Sequence, residues 1–199
     1  MRENFLIPPA SAADLVADGL RVIGVLGVAV AAVFLSWTDA GILAFITPAL
    51  AAPRFLRVRP GFDIVICVIV LIAAWSNVAD LYRAYLGWDT VVHVICTAVL
   101  APMLYLLFAR FAVVPAPGEA GFGARVAIIH TTTIGLAISA LWEMVEWIGF
   151  ELFTEDIYTT YDDTIGDMAA GGLGALVAGI LLAAAPSFFD RPAREHAER

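Results

Sequence analysis

Apolar residues run along this chain in long blocks that read hydrophobic on every helical face, interrupted by Pro, Gly and charged positions. A helix packed on a soluble core shows one apolar stripe, whereas a block apolar all round must have lipid or protein on every side. Six such blocks emerge, at about residues 20–37, 41–52, 62–79, 89–113, 124–150 and 164–189. Crossing a typical hydrocarbon core takes roughly 20 helical residues, which the last three blocks satisfy comfortably. The second block falls short and carries Pro48 in its middle, so it reads as a tilted or broken span, or as a re-entrant hairpin. The pattern predicts an all-α, polytopic transmembrane helical bundle of six spans forming one integral membrane domain. Residues 1–18 form an N-terminal lead-in, with Asp14 or Asp18 opening a short amphipathic stretch, and residues 190–199 form a tail.

Composition agrees with that pattern. Of 199 residues, 61% are apolar and only 15% are charged, too few to coat a soluble surface. There is no Lys, and 19 carboxylates against 11 arginines give a net charge of −8, which leaves no basic patch for nucleic acid. Arg2, Glu3, Pro8, Pro9, Asp14 and Asp18 crowd the start, so no cleavable signal peptide is evident. Cys67 and Cys96 fall in apolar runs at different depths and read as packed thiols without a disulfide.

The arginines orient the bundle. With six crossings, Arg2, Arg21, Arg54, Arg57, Arg59, Arg110, Arg125, Arg191, Arg194 and Arg199 share one side, against Arg83 on the other. Positive charge is retained on the cytoplasmic side, so both termini are expected there, in a cell inner membrane. A re-entrant second block would move Arg2 and Arg21 outside, a poorer fit. The opposite end then carries Asp39, Asp80, Asp89, Glu151, Glu155, Asp156, Asp162 and Asp163, together with a belt of Trp and Tyr. Residues 115–123 are rich in Pro and Gly and read as a connector on the arginine side.

Three motifs converge on the acidic end of the last three blocks. Asp89 and His93, in Trp88-Asp89-Thr90-Val91-Val92-His93, lie four apart on one helix face; capping by Asp89 explains them about as well as ion binding does. Glu143 and Glu146, in Trp142-Glu143-Met144-Val145-Glu146-Trp147, share a face near the end of an apolar span, where two carboxylates repel unless a cation or proton lies between them. Asp163 and Asp167, in Tyr161-Asp162-Asp163-Thr164-Ile165-Gly166-Asp167-Met168, repeat the four-residue spacing, and capping accounts for one aspartate but hardly for all three. Gly171, Gly172 and Gly174 follow, small enough to let this helix approach a neighbour.

One His and several carboxylates from three consecutive helices could surround one or two divalent cations. Oxygen-rich ligation suits Mg²⁺, Mn²⁺ or Ca²⁺, and the imidazole also admits Zn²⁺ or Fe²⁺. The expected ligands are Asp89, His93, Glu143, Glu146, Asp163 and Asp167, with Glu143 or Glu146 doubling as general base. Asn77 and Asp80 are expected to support them from behind. His130, with Thr131, Thr132 and Thr133, reads as a polar contact between helices rather than as a ligand.

On these motifs the chain resembles the YjdF-like family of bacterial inner-membrane proteins, a family of unknown function, over about residues 20–185. The shared elements are Trp88-Asp89 with His93, Trp142-Glu143 with Glu146, and Asp163-Thr164 with Asp167-Met168. A more distant similarity is to VanZ-like membrane proteins, linked to glycopeptide resistance, at Asp89, His93, Glu143 or Glu146, and Asp167. The chain has Gly171-Gly172 where an Asn often follows the last Asp in both families. Neither resemblance brings a reaction. The residues themselves lead to the expectation of a metal-dependent hydrolase or transferase acting on a lipid or envelope precursor. Its rivals are a cation or proton transporter and a non-catalytic membrane factor.

Overall fold

A computed structural model describes residues 2–153 and 160–190, and within them the chain is helical, without strands. In chain order the helices are α1 (Arg2–Leu6), α2 (Ala12–Phe34), α3 (Trp37–Phe45), α4 (Thr47–Leu56), α5 (Pro60–Val78), α6 (Leu81–Ala84), α7 (Trp88–Arg110), α8 (Ala124–Leu152) and α9 (Tyr161–Ala184). Taking α3 and α4 together, six helices are long and apolar enough to cross a membrane. Their outward faces carry residues such as Val25, Leu26, Leu141, Met144, Leu173 and Val177, an apolar exterior that only a bilayer accommodates. The fold is an all-α polytopic bundle.

Two helix boundaries differ from the apolar pattern. The first span begins well before its apolar block, because Ser11 and Asp14 form a capping box. The Ser11 hydroxyl accepts from the Asp14 amide at 3.1 Å, and the Asp14 carboxylate accepts from the Ser11 amide at 3.0 Å. The stretch around Asp14 and Asp18 is therefore the opening of α2 itself. Ser36 and Asp39 repeat the box at the start of α3, at 3.0 and 3.1 Å, and so account for Asp39.

The second span is longer than its apolar block and is broken at Ile46. Pro48 has no N–H to give the Ala44 carbonyl four residues back. The Thr47 hydroxyl donates to that carbonyl instead, at 2.7 Å, so the interruption leaves it satisfied. Together α3 and α4 cover Trp37–Leu56, 20 residues, enough for a full crossing.

Polar contacts bind the arginine-bearing end. Arg21 of α2 pairs with Asp63 of α5 and with Asp18, and donates to the Leu50 carbonyl at 2.8 Å. Arg54 reaches Asp18 at 3.3 Å and the Ile7 carbonyl at 2.7 Å. Arg110 pairs with Asp190 at 3.0 Å, and the Arg59 amide donates to the Phe189 carbonyl. The segments near both ends of the chain thus lie together, while Arg83 sits beyond the opposite end of α5. Between these ends, Leu43, Leu50, Phe62, Ile66, Tyr105 and Leu106 form a buried core linking α3, α4, α5 and α7. Cys67 and Cys96 are both free thiols.

The closest packing joins α7, α8 and α9, and small residues make it. Gly174 lies against the backbone carbonyl of Val94, where any Cβ would collide. Gly171 faces Ser139 and Thr97 with no room for a methyl group, and Gly179 lies on the backbone of Ile128. Where lipid surrounds the bundle, such intimate backbone contact supplies the association that hydrophobic burial supplies in water.

Candidate functional site

That packing brings the first turns of α7 and α9 against the last turns of α8. Gly87 takes a left-handed conformation (φ 78°) just before α7, a shape that costs Gly least. The Trp88 indole then donates to Ser76 Oγ at 3.0 Å, pinning the start of α7 to the end of α5. From this anchored turn Asp89 and His93 face α8 and α9.

His93, Glu143 and Asp167 are 5%, 5% and 3% exposed, which places three ionisable groups inside the helix trio rather than on its rim. His93 Nε2 lies 3.5 Å from Asp89 Oδ1 and 3.7 Å from Glu143 Oε1. Both separations exceed a normal N–H···O hydrogen bond. The Thr164 hydroxyl donates to the Glu143 carboxylate, yet Glu143 Oε1 is buried without a hydrogen-bond partner. The Trp142 indole donates to Glu146 Oε1 at 2.8 Å, and its ring meets His93 edge to face at 6.3 Å.

Donor atoms of Asp89, His93 and Asp167 lie within 4.8 Å of one another, as do those of His93, Glu143 and Glu146. His93 belongs to both groupings. Donors about 2.0–2.2 Å from a shared ion stand at most about 4.4 Å apart, so the 3.5 and 3.7 Å separations fit such a pair of ligands. Either grouping could hold an ion. Asp163 falls outside both groupings, a turn closer to the helix end, and its amide donates to Thr160 Oγ1 at 3.3 Å.

Other expectations meet the structure unevenly. Asp80 is exposed and lies 3.8 Å from Arg83, so it turns to the loop rather than supporting the cluster. Asn77 does approach, lining a cavity together with Glu146. His130 makes no polar bridge between helices. It is exposed, its Nδ1 meets the Val126 carbonyl of its own helix at 2.9 Å, and only its ring edge touches Tyr105. Glu155 and Asp156 lie outside the described residues.

Sequence spacing assigns Thr164 no role, and its bond to Glu143 gives it one. Tyr82, in α6, belongs to the belt of Trp and Tyr at the acidic end. Its hydroxyl donates to the Ala73 carbonyl at 2.8 Å, and burial pushes its phenol pKa above the ordinary value. Tyr82 also lines two adjoining cavities beside the cluster, of about 380 and 500 Å³. The first reaches Asp89 and His93, the second Glu146.

Comparison with known proteins adds a family. No curated protein and no solved structure matches the chain. A family model described as "Predicted membrane protein (DUF2238)" matches residues 16–187, a stretch that includes all three polar motifs and five complete spans with most of α2. The chain therefore belongs to this DUF2238 family of multi-pass membrane proteins.

Proposed function

We propose that this chain is a membrane enzyme that uses a divalent cation to hydrolyse or transfer a group on a lipid or envelope precursor. The observation that carries the reading is Glu143 Oε1, buried, without a hydrogen bond, and 3.7 Å from the buried His93 imidazole. An unsatisfied buried carboxylate oxygen costs several kcal/mol in a low-dielectric site, and a shared cation removes that cost. Asp89, His93, Glu143, Glu146 and Asp167 supply the ligands, with Asp163 at the rim. A cation held there would supply Lewis acidity toward a phosphoryl or acyl oxygen and would make an attacking water more acidic. Glu143 or Glu146 accepts the proton, and Trp142 orients Glu146 for either role. The excess of arginine at the end shared by the terminal segments supports cytoplasmic termini, so the cluster faces outward from a bacterial inner membrane. The motif likeness to YjdF-like and VanZ-like proteins points to the same residues.

Metal analysis of the purified protein tests this reading. The intact chain is expected to carry a stoichiometric ion that Glu143→Ala and His93→Ala each remove. An ion-free intact protein discards the enzyme reading.

A proton or cation relay is the second reading, favoured by Thr97 and Ser139, whose hydroxyls lie 3.4 Å apart beneath the cluster, and by the buried, unpartnered Thr131 hydroxyl. Ser139 and Thr131 are separated along α8 by about 12 Å of helix, with Gly135 packed on Ala175 between them. That apolar gap favours the enzyme. Liposome flux abolished by Glu143→Gln would reverse the order.

A further inference from the structure

The two cavities beside the cluster share a wall formed by Phe45, Ile46, Ala73, Tyr82, Trp142 and Val145. Phe45 sits at the break between α3 and α4, and its ring meets Trp142 edge to face at 6.0 Å. On one side of this pair the cavity of about 500 Å³ extends toward Trp37, Asn77 and Phe153, at the helix ends. On the other, the cavity of about 380 Å³ runs past Ala49, Val70, Leu100 and Ile138 into the middle of the bundle. From His93 to Leu100 that descent covers about 10 Å of helix.

The deeper cavity is amphiphilic along its length. Asp89 and His93 close its upper part, Thr97 and Ser139 line its side, and its lower part is aliphatic. A volume of this size falls within the range of small-molecule sites. It lies at a depth where the surrounding solvent is hydrocarbon, and its polar part is continuous with the carboxylate cluster. An occupant must therefore combine a flexible apolar chain with a polar group at one end.

We infer that the fatty-acyl chain of a membrane lipid lies in the cavity between α4, α5, α7 and α8, with its head-proximal linkage presented to Asp89 and His93. This deepens the proposed reading, on which it rests for the reaction, by naming an acyl lipid as the substrate class. The Phe45–Trp142 pair marks the passage from the outer cavity to the inner one, so the chain enters beside the helix break. The linkage next to the chain, rather than a distant headgroup, is what the cluster meets.

A phospholipid bearing a diazirine at the end of one acyl chain, incorporated in nanodiscs with the full-length protein, tests this. Photolysis at a fixed mole fraction of probe is expected to label the cavity side of Leu100 and Ile138 as well as lipid-facing Leu173 and Val177. Ala49→Trp, which fills the cavity, is expected to cut Leu100 and Ile138 labelling roughly ten-fold, the scale of an overpacking penalty. Leu173→Trp leaves it unchanged and controls for folding. Labelling confined to the lipid-facing positions, or cavity labelling indifferent to Ala49→Trp, overturns the inference. Metal analysis of the same sample separates the two claims: an ion without cavity labelling sinks only the acyl site, and cavity labelling without an ion sinks only the metal reading.

Discussion

Gly174 of α9 rests directly on the backbone carbonyl of Val94 in α7. Because that neighbour is main chain, it has no rotamer to change, and any side chain at this position pushes two helices apart. The contact lies two turns from Asp167 and less than a turn from His93, so the spacing of the candidate ligands depends on it. Gly174→Ala is expected to destabilise the bundle by about 1–3 kcal/mol, the usual cost of overpacking. Denaturant unfolding in detergent micelles measures it. The neighbouring Gly166, around which a Cβ meets nothing, provides a control whose substitution by Ala has little effect.

The Arg21–Asp63 pair joins α2 to α5 near the arginine-bearing end. Removing one member of a buried pair strands the other charge; Arg21 keeps Asp18, but Asp63 is 5% exposed and loses its cation in Arg21→Ala, which is expected to cost about 3–5 kcal/mol. The double variant Arg21→Ala/Asp63→Ala is expected to recover part of that loss, because neither charge is left behind. Unfolding midpoints of the two single variants and the double variant form the cycle. Equal stability of Arg21→Ala and the intact chain would show that the pair contributes nothing.

Trp142 holds Glu146 by a 2.8 Å hydrogen bond, and Thr164 holds Glu143. Partners behind a ligand orient it, and losing one typically costs 10–100-fold in metal affinity. Trp142→Phe and Thr164→Val are each expected to weaken ion binding on about that scale while the helical content stays intact. Isothermal titration with Mn²⁺ or Zn²⁺ reads the change. Unaltered affinity in both variants would remove these residues from the site.

The helix count has its own test. Six crossings place the α2–α3 turn at Leu35 and the segment around Glu119 on opposite sides of the membrane, because α3–α4, α5 and α7 lie between them. Single cysteines introduced at Leu35 and Glu119, in a chain with Cys67 and Cys96 replaced by Ala, are expected to react with an impermeant maleimide from opposite faces. Labelling of both from one face would require that the α3–α4 pair turn back rather than cross.

Much of the bundle was legible because a bilayer imposes harsh rules. A carboxylate such as Glu143 stands out against an apolar span, and four-residue spacing placed Asp89 with His93 and Asp163 with Asp167 on shared faces. The glycines after Asp167 announced close packing, and Gly171 and Gly174 provide it. Less was legible where a side chain substitutes for the apolar pattern. The Ser11–Asp14 box starts α2 upstream of its hydrophobic block, and Thr47 lets the second span continue past Pro48. The cavities were invisible for another reason: Ala49, Val70, Leu100 and Ile138 come from four helices, and no local pattern reports their meeting. Asp80 was misplaced because proximity in sequence to Asn77 says nothing about which way a loop residue turns.

The matched serine–aspartate locks at Ser11 and Ser36 give the first crossing fixed limits, one near each surface of the sheet of lipid. The helix between them has 23 residues and measures about 35 Å along its axis, against roughly 30 Å of hydrocarbon. A helix longer than the hydrocarbon layer leans or projects into the headgroups. Near one end of this long rod, the Arg21–Asp63 pair ties it to α5.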